Sequence, residues 1–201
     1  MRNPGLTQKG ERTRQRIVEA TGRQILASGI GGTSLDDVRA ATLTSKSQLF
    51  HYFPGGKTEL VMAVAQWEGE QLMAAQEPEI HDLSTRGSWE RWRAGLVDYY
   101  IGLGRWACPI GSLASEAAAT DPELAAVIGA SFTQWRDLLG AGVDRLRAAG
   151  DLDGTTDSRR VAAAILSAIQ GGLVLSQVER DPWPLEAALD QALHALDGAR
   201  P

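Results

Sequence analysis

One cysteine, Cys108, stands in 201 residues. An intramolecular disulfide framework is therefore excluded, and a reducing compartment suits the chain. Histidine is nearly as scarce: His51, His81 and His194 fall on separate segments without ligand spacing, so no metal site is expected. Long apolar runs are missing too. The longest uncharged apolar stretch, Val161 to Leu175, is interrupted by Ser167 and Gln170 and falls short of the roughly 20 residues a spanning helix needs. The opening MRNPGLTQKGERTR holds no apolar run of the kind a secretory signal requires. Together these absences predict a soluble, cytoplasmic chain without a membrane partner. Gly56-Lys57-Thr58 resembles the end of a phosphate-binding loop, but that motif needs glycine where His51 stands. No Ser/His/Asp arrangement can be defended from spacing, so neither a cofactor nor an enzymatic activity is expected.

What is present suits a globular, all-α chain. Apolar residues make up 43% of it, in the range of packed domains, and no strand-like alternation or internal repeat occurs. The net charge of −5 taken alone speaks against nucleic acid, yet its distribution does not. Residues 1–60 carry nine Lys/Arg and five Asp/Glu, a balance of +4, while the remainder carries eleven and twenty, a balance of −9. A basic head on an acidic body is the asymmetry expected when one end meets phosphate, although nine basic residues in sixty also fit an ordinary solvated surface.

The first 53 residues read as three helices. Ile17, Thr21 and Ile25 recur every four residues from about Lys9 to Ser28, with Gly29 as a stop. Ser34 and Asp37 form a capping-box start for a helix of about seven residues. After a turn at Thr42–Thr44, another short helix runs from about Ser45 to Phe50. Lys57 opens a long helix to about Ala75, and the polar run from Pro78 to Ser88 reads as a loop. An aromatic helix from Trp89 to about Arg105 follows, then a kink at Cys108-Pro109-Ile110-Gly111 and a short helix from Ser112 to Ala119. Thr120-Asp121-Pro122-Glu123 is a strong start signal. Behind it Leu124, Ile128, Phe132, Trp135, Leu139, Val143 and Leu146 step by three or four residues. Two last helices span about Asp157–Arg180 and Pro184–Leu196.

Two short helices joined by a few residues are what a helix-turn-helix requires. The first braces, and the second presents its N-terminal side chains to base edges in the major groove. Thr44, Ser45, Lys46, Ser47 and Gln48 supply the chemistry: glutamine can pair bidentately with adenine, lysine can donate to guanine, and hydroxyls suit phosphates or bases. Read alone, the same residues are better taken as a solvated helix face.

The register as a whole resembles the signature of TetR-type repressors. Thr33-Ser34-Leu35-Asp36-Asp37-Val38, Ser45 through Phe53, Lys57 and Leu60 carry the resemblance across about residues 10–70. It implies a three-helix DNA-binding head at residues 1–55 and a larger helical body at 56–201 for ligand binding and dimerisation. By resemblance Thr33 and Ser34 contact phosphate, Ser45 to Gln48 read the groove, and Tyr52 clamps the backbone. Lys57 binds phosphate at the start of the fourth helix, where free amides and the helix dipole help. With Thr44, Phe50 and His51, these form the candidate DNA-binding set. The turn carries Leu43 where the family usually has glycine, Thr44 where it has a small apolar residue, and Phe50 where it has tyrosine. A positive φ at Leu43 would be strained. His51 to Lys57, Cys108 to Gly111, Trp135 to Leu139 and Gln170 to Leu173 further resemble the branch of regulators of lincomycin-type multidrug resistance and flavonoid response. That branch implies an inducible repressor of an efflux pump or detoxifying enzyme.

In the body, aromatic side chains at helical spacing are ordinarily core. A subset, Trp67, Trp92, Leu96, Tyr99, Phe132 and Trp135, is the candidate border of a cavity for an apolar or aromatic effector. Ile165, Ile169, Gly172, Leu173 and Ser176, with Leu189 and Leu193, form small-residue apolar stripes. One stripe can serve the core, and the other is spare for a second copy. A twofold homodimer would set two reading helices about 34 Å apart on a palindromic operator. The competing readings are a constitutive helix-turn-helix module with a solid body, and a helical enzyme, for which no convergent acid, base or nucleophile is found.

Overall fold

The structure, a computed structural model, describes residues 6–104, 106–117 and 121–196. Among the described residues it is all-helical: α1 (Gln8–Gly32), α2 (Leu35–Thr42), α3 (Lys46–Tyr52), α4 (Gly56–Ala74), α5 (Arg86–Gly102), α6 (Pro109–Ala117), α7 (Pro122–Ala149), α8 (Ser158–Glu179) and α9 (Trp183–Leu193). The expected all-α class is thus what the chain adopts. It divides into two compact units, one of residues 1–70 and 112–129, the other of 71–111 and 130–201.

The first unit is organised by caps and a small apolar core. Thr7 accepts from the Gly10 amide to start α1, and Gly29, at φ 75°, interrupts it where the stop was expected. Ser34 and Asp37 close the capping box of α2 that the sequence predicts: each side chain accepts from the other's backbone amide. Ile17, Ile25, Val38, Leu49, Phe53 and Leu60 are buried to 3% exposure or less. Fully burying side chains of this size contributes about 1.5–3 kcal/mol each. Leu49 is the buried residue of α3, so one apolar anchor seats that helix and frees its other faces.

In the second unit α5, α7, α8 and α9 share the core. Trp89, Trp92, Leu96 and Tyr100 of α5 are buried with Trp135, Leu139, Val143 and Leu146 of α7. The periodicity of α7 is realised with one exception, Phe132, which stays half-buried. Asp121 is its cap, accepting from the Leu124 amide; Thr120, the expected cap, lies outside the described residues, as do Ala119 and Arg105, the expected ends of two helices. The start of α5 comes earlier than Trp89, because Thr85 and Ser88 form a capping box. The expected kink at Cys108–Gly111 is instead the first turn of α6, with the Gly111 amide donating to Cys108 Sγ. The expected loop after Pro78 contains one 3-10 turn, Glu79–His81.

The α8–α9 pair packs closely because α8 presents small residues to α9. A Cβ on Gly172 would sit 2.8 Å from Leu185 Cα, and Ser176 Oγ accepts from the buried Leu185 amide at 3.2 Å. Arg93 of α5 adds a two-pronged ion pair to Asp190 of α9, at 2.5 and 3.0 Å; part-exposed, such a pair contributes at most about 1 kcal/mol. Helix α8 is also long and apolar enough, by length and composition, to cross a membrane. Its burial within the unit covers only one side: Val174, Leu175 and Val178 are 62%, 55% and 78% exposed.

Candidate nucleic-acid interface and effector interior

The turn between α2 and α3 is built on a left-handed leucine. Leu43 has φ 51° and ψ 38°, and the Thr44 amide reaches back to the Arg39 carbonyl at 3.1 Å, the hydrogen-bond pattern that usually recruits glycine at this position. The family glycine is replaced, yet the geometry it serves is kept. The side chain of Leu43 is 90% exposed, so no burial offsets the conformational cost.

Ser45 caps α3. Its Oγ accepts from the Gln48 amide at 3.1 Å, and Gln48 Oε1 accepts from the Ser45 amide at 3.1 Å. The carbonyl end of Gln48 is therefore engaged without DNA, and a bidentate pair with adenine requires it to leave the cap. Lys46 and Ser47 are exposed on the first turn. Phe50 and His51 are exposed, and Tyr52 is half-buried with its ring edge-on to His51 at 5.0 Å. Lys57 is half-buried in the first turn of α4. Ser34 stays exposed, but its hydroxyl donates to Asp37 Oδ2 at 2.5 Å.

Two candidates turn inward. Thr33 is 4% exposed and donates from Oγ1 to the Gly29 carbonyl at 2.9 Å, while Thr44 is 5% exposed and donates to the Thr42 carbonyl at 3.3 Å. Their hydroxyls complete the local backbone rather than face a phosphate. Sequence alone could not separate them from their exposed neighbours, since hydroxyl residues at helix starts serve either purpose.

The candidate effector residues also separate. Trp67 lies against Gly22 of α1 in the first unit, whereas Trp92, Leu96, Tyr99, Phe132 and Trp135 belong to the second. Trp92 is a satisfied core residue, its indole N–H donating to Gln76 Oε1 at 2.9 Å. The buried indole N–H groups of Trp135 and Trp89 have no acceptor among the described residues. Trp89 was not among the candidates, and its periodic position on α5 gave no hint of an unmet donor. Tyr100 and Cys108 are buried, Cys108 Sγ accepts from the Gly111 amide at 3.4 Å, and the half-buried Gln170 brings its Oε1 close to Gly111. Burial pushes the Cys108 thiol up despite the opposing donors, and burial, with the neighbouring Cys108 and Tyr99, pushes the Tyr100 phenol well up. Both are neutral at physiological pH. Among the described residues no group of three or more His, Cys, Asp or Glu side chains could hold a metal ion.

The seven candidate interface residues, Ile165, Ile169, Gly172, Leu173, Ser176, Leu189 and Leu193, are all buried within the chain's second unit. The small residues Gly172 and Ser176 admit α9 of the same chain, so this stripe is spent on packing within the chain.

Comparison with known proteins agrees with this architecture. The family model described as "Transcriptional regulator LmrA/YxaF-like, C-terminal domain" matches residues 90–191, half of the chain. An HTH-type transcriptional regulator of Mycobacterium tuberculosis is 29% identical over 191 residues, spanning 91% of this chain and 93% of that protein. The HTH-type regulator YxaF of Bacillus subtilis is 25% identical over 190 residues, spanning 92% and 95%. A crystal structure of a TetR-family regulator from Cytophaga hutchinsonii superposes with a TM-score of 0.83 at 18% identity, covering 98% of this chain and 100% of that one. The fold is that of helix-turn-helix, DNA-binding transcriptional regulators, a class of proteins that are not enzymes. Within that class the chain belongs to the TetR family, with a C-terminal domain of the LmrA/YxaF type.

Proposed function

We propose that the chain is a cytoplasmic, homodimeric repressor that leaves a palindromic operator when a small apolar or aromatic compound enters the interior of its body. The residues assigned to DNA are Ser45, Lys46, Ser47 and Gln48 at base edges, with Ser34, Phe50, His51, Tyr52 and Lys57 along the backbone. The exposure of the first turn of α3, anchored only by Leu49, supports this assignment. The observation that carries the effector half is the pair of buried indole N–H groups, on Trp89 and Trp135, left without acceptors. A buried donor left unpaired costs about 1–3 kcal/mol, so a guest offering carbonyl or ether oxygens among aromatic walls recovers that cost.

The second copy is assigned to the outer side of α8, where Val174, Leu175 and Val178 are exposed; Trp183 at the start of α9 is 66% exposed as well. A contiguous apolar patch of this kind marks an association surface. Release follows if the effector binds better to the arrangement that holds the heads away from groove spacing. The proposed targets are genes for efflux or detoxification.

The test is a gel shift on DNA flanking the gene, at two salt concentrations, with wild type and Ser45→Asp. The aspartate keeps the helix cap but sets a negative charge against phosphate. Wild type should give a discrete complex that weakens with salt, and the variant should melt like wild type yet bind at least tenfold more weakly. Equal binding by the two would remove α3 from the interface. A complex indifferent to aromatic compounds that quench the tryptophan fluorescence would instead favour a constitutive DNA-binding module.

A further inference from the structure

We infer that the Glu116 carboxylate of α6 is a positioning residue for DNA reading, acting as a latch on the end of α1. Helix α1 leaves helical geometry at Gly29, with φ 75° and ψ 168°, and one further turn, Ile30–Gly32, precedes α2. That break falls immediately before the Ile30 amide. Glu116 Oε2 takes the amide at 2.6 Å across 86 residues of sequence. The carboxylate lies directly over Gly29, where a Cβ would meet Oε2 at 2.9 Å and Oε1 at 3.3 Å.

A chain of short contacts leads from this point to the reading helices. The Ile30 carbonyl accepts from the Thr33 amide at 3.3 Å, and the Gly29 carbonyl accepts from Thr33 Oγ1 at 2.9 Å. Thr33 is followed by Ser34, the cap of α2, and α2 ends in the left-handed Leu43 that aims α3. The inward turn of Thr33 is explained in the same way: its hydroxyl closes the loop that Glu116 holds. At its other end α6 begins at Pro109, beside Cys108, and its Gly111 abuts Gln170.

The sign of the effect separates this role from simple electrostatics. A carboxylate that merely stood near phosphate would weaken DNA binding, so its removal would tighten the complex. A latch predicts the reverse. The experiment uses the full-length protein with a duplex that wild type selects from random sequence, and compares wild type, Glu116→Ala and Glu116→Gln. The alanine variant should bind about tenfold more weakly, the scale of one lost hydrogen bond to a charged group. The dependence on salt should keep its slope, because no phosphate contact is removed. Amide exchange at Ile30, followed by fragmentation mass spectrometry, should quicken about tenfold in the same variant. Glutamine, which keeps one acceptor oxygen, should fall between on both readouts. Unchanged or tighter binding, an altered salt slope, or unchanged exchange at Ile30 would overturn the inference. If alanine unfolds the protein, the glutamine variant is judged by the same criteria. Failure of wild type to select any duplex would defeat the DNA-binding reading instead, and amide exchange alone would then decide the latch.

Discussion

Replacing Leu43 with glycine should stabilise the protein. An L-residue in the left-handed region costs roughly 1–2 kcal/mol because Cβ crowds the following carbonyl. Leu43 adopts that conformation at φ 51° and ψ 38°, and with its side chain 90% exposed it recovers almost nothing by packing. Glycine removes the crowding but gives back roughly 0.5–1 kcal/mol through the greater entropy of its unfolded chain. The net gain is about 0.5–1 kcal/mol, or roughly 1–4 °C in melting temperature for a chain of this size. Calorimetry at one fixed protein concentration reads it, since self-association makes the melt depend on concentration. Leu43→Ala is the control: it keeps Cβ and therefore the strain, and should melt within about 1 °C of wild type, as exposed substitutions usually do. Leu43→Asn, whose short side chain tolerates this region, should fall between. The reasoning fails if glycine is no more stable than alanine, because the only difference between them that favours glycine is the crowding at Cβ.

Two further substitutions probe the body. Gly172→Ala places a methyl group 2.8 Å from the Leu185 Cα and 3.1 Å from the Pro184 carbonyl, both backbone atoms; overpacking of this kind should cost about 1–3 kcal/mol in urea unfolding, and a loss under 0.5 kcal/mol would refute the close approach. Cys108 should react with iodoacetamide at neutral pH far more slowly in the native protein than in denaturant, because burial holds it as the thiol. Its folded pKa is raised, so the stabilisation it supplies is present below the ordinary thiol pKa and is lost as pH rises from there through the folded value. Accordingly the stability advantage of wild type over Cys108→Ala should shrink between pH 7 and pH 10; an advantage that grows would reverse the assignment.

Much of the reading head was legible because its determinants are local. A capping box needs only Ser34 and Asp37 three residues apart, a stop needs only Gly29, and the step of α7 needs only its own apolar residues. Each is satisfied within a turn or two of helix, whatever the rest of the chain does. The left-handed turn at Leu43 was legible for the same reason, since the family register marks the position and sterics state its cost. Helix ends were less secure: the starts of α5 and α6 lie earlier than their apolar residues suggest, because Thr85, Ser88 and Cys108 supply caps that apolar periodicity does not register.

Which face of a helix meets which neighbour is a different kind of information. Thr33 and Ser34 are adjacent hydroxyl residues, yet one is buried against Gly29 and the other exposed. Trp92 and Trp135 have equal claims as aromatic residues at helical spacing, yet only Trp92 has its indole met, by Gln76 sixteen residues away. The stripe from Ile165 to Ser176 has the small residues an interface favours, and α9 of the same chain occupies it first. Nothing near Glu116 in the sequence announces that its carboxylate caps a helix end 86 residues earlier. The sequence by itself determined the helices, their caps and the family register, because those depend on contacts a few residues apart. Only the tertiary structure decided which donors are met and which faces are spent, because those depend on partners that chain order does not bring together.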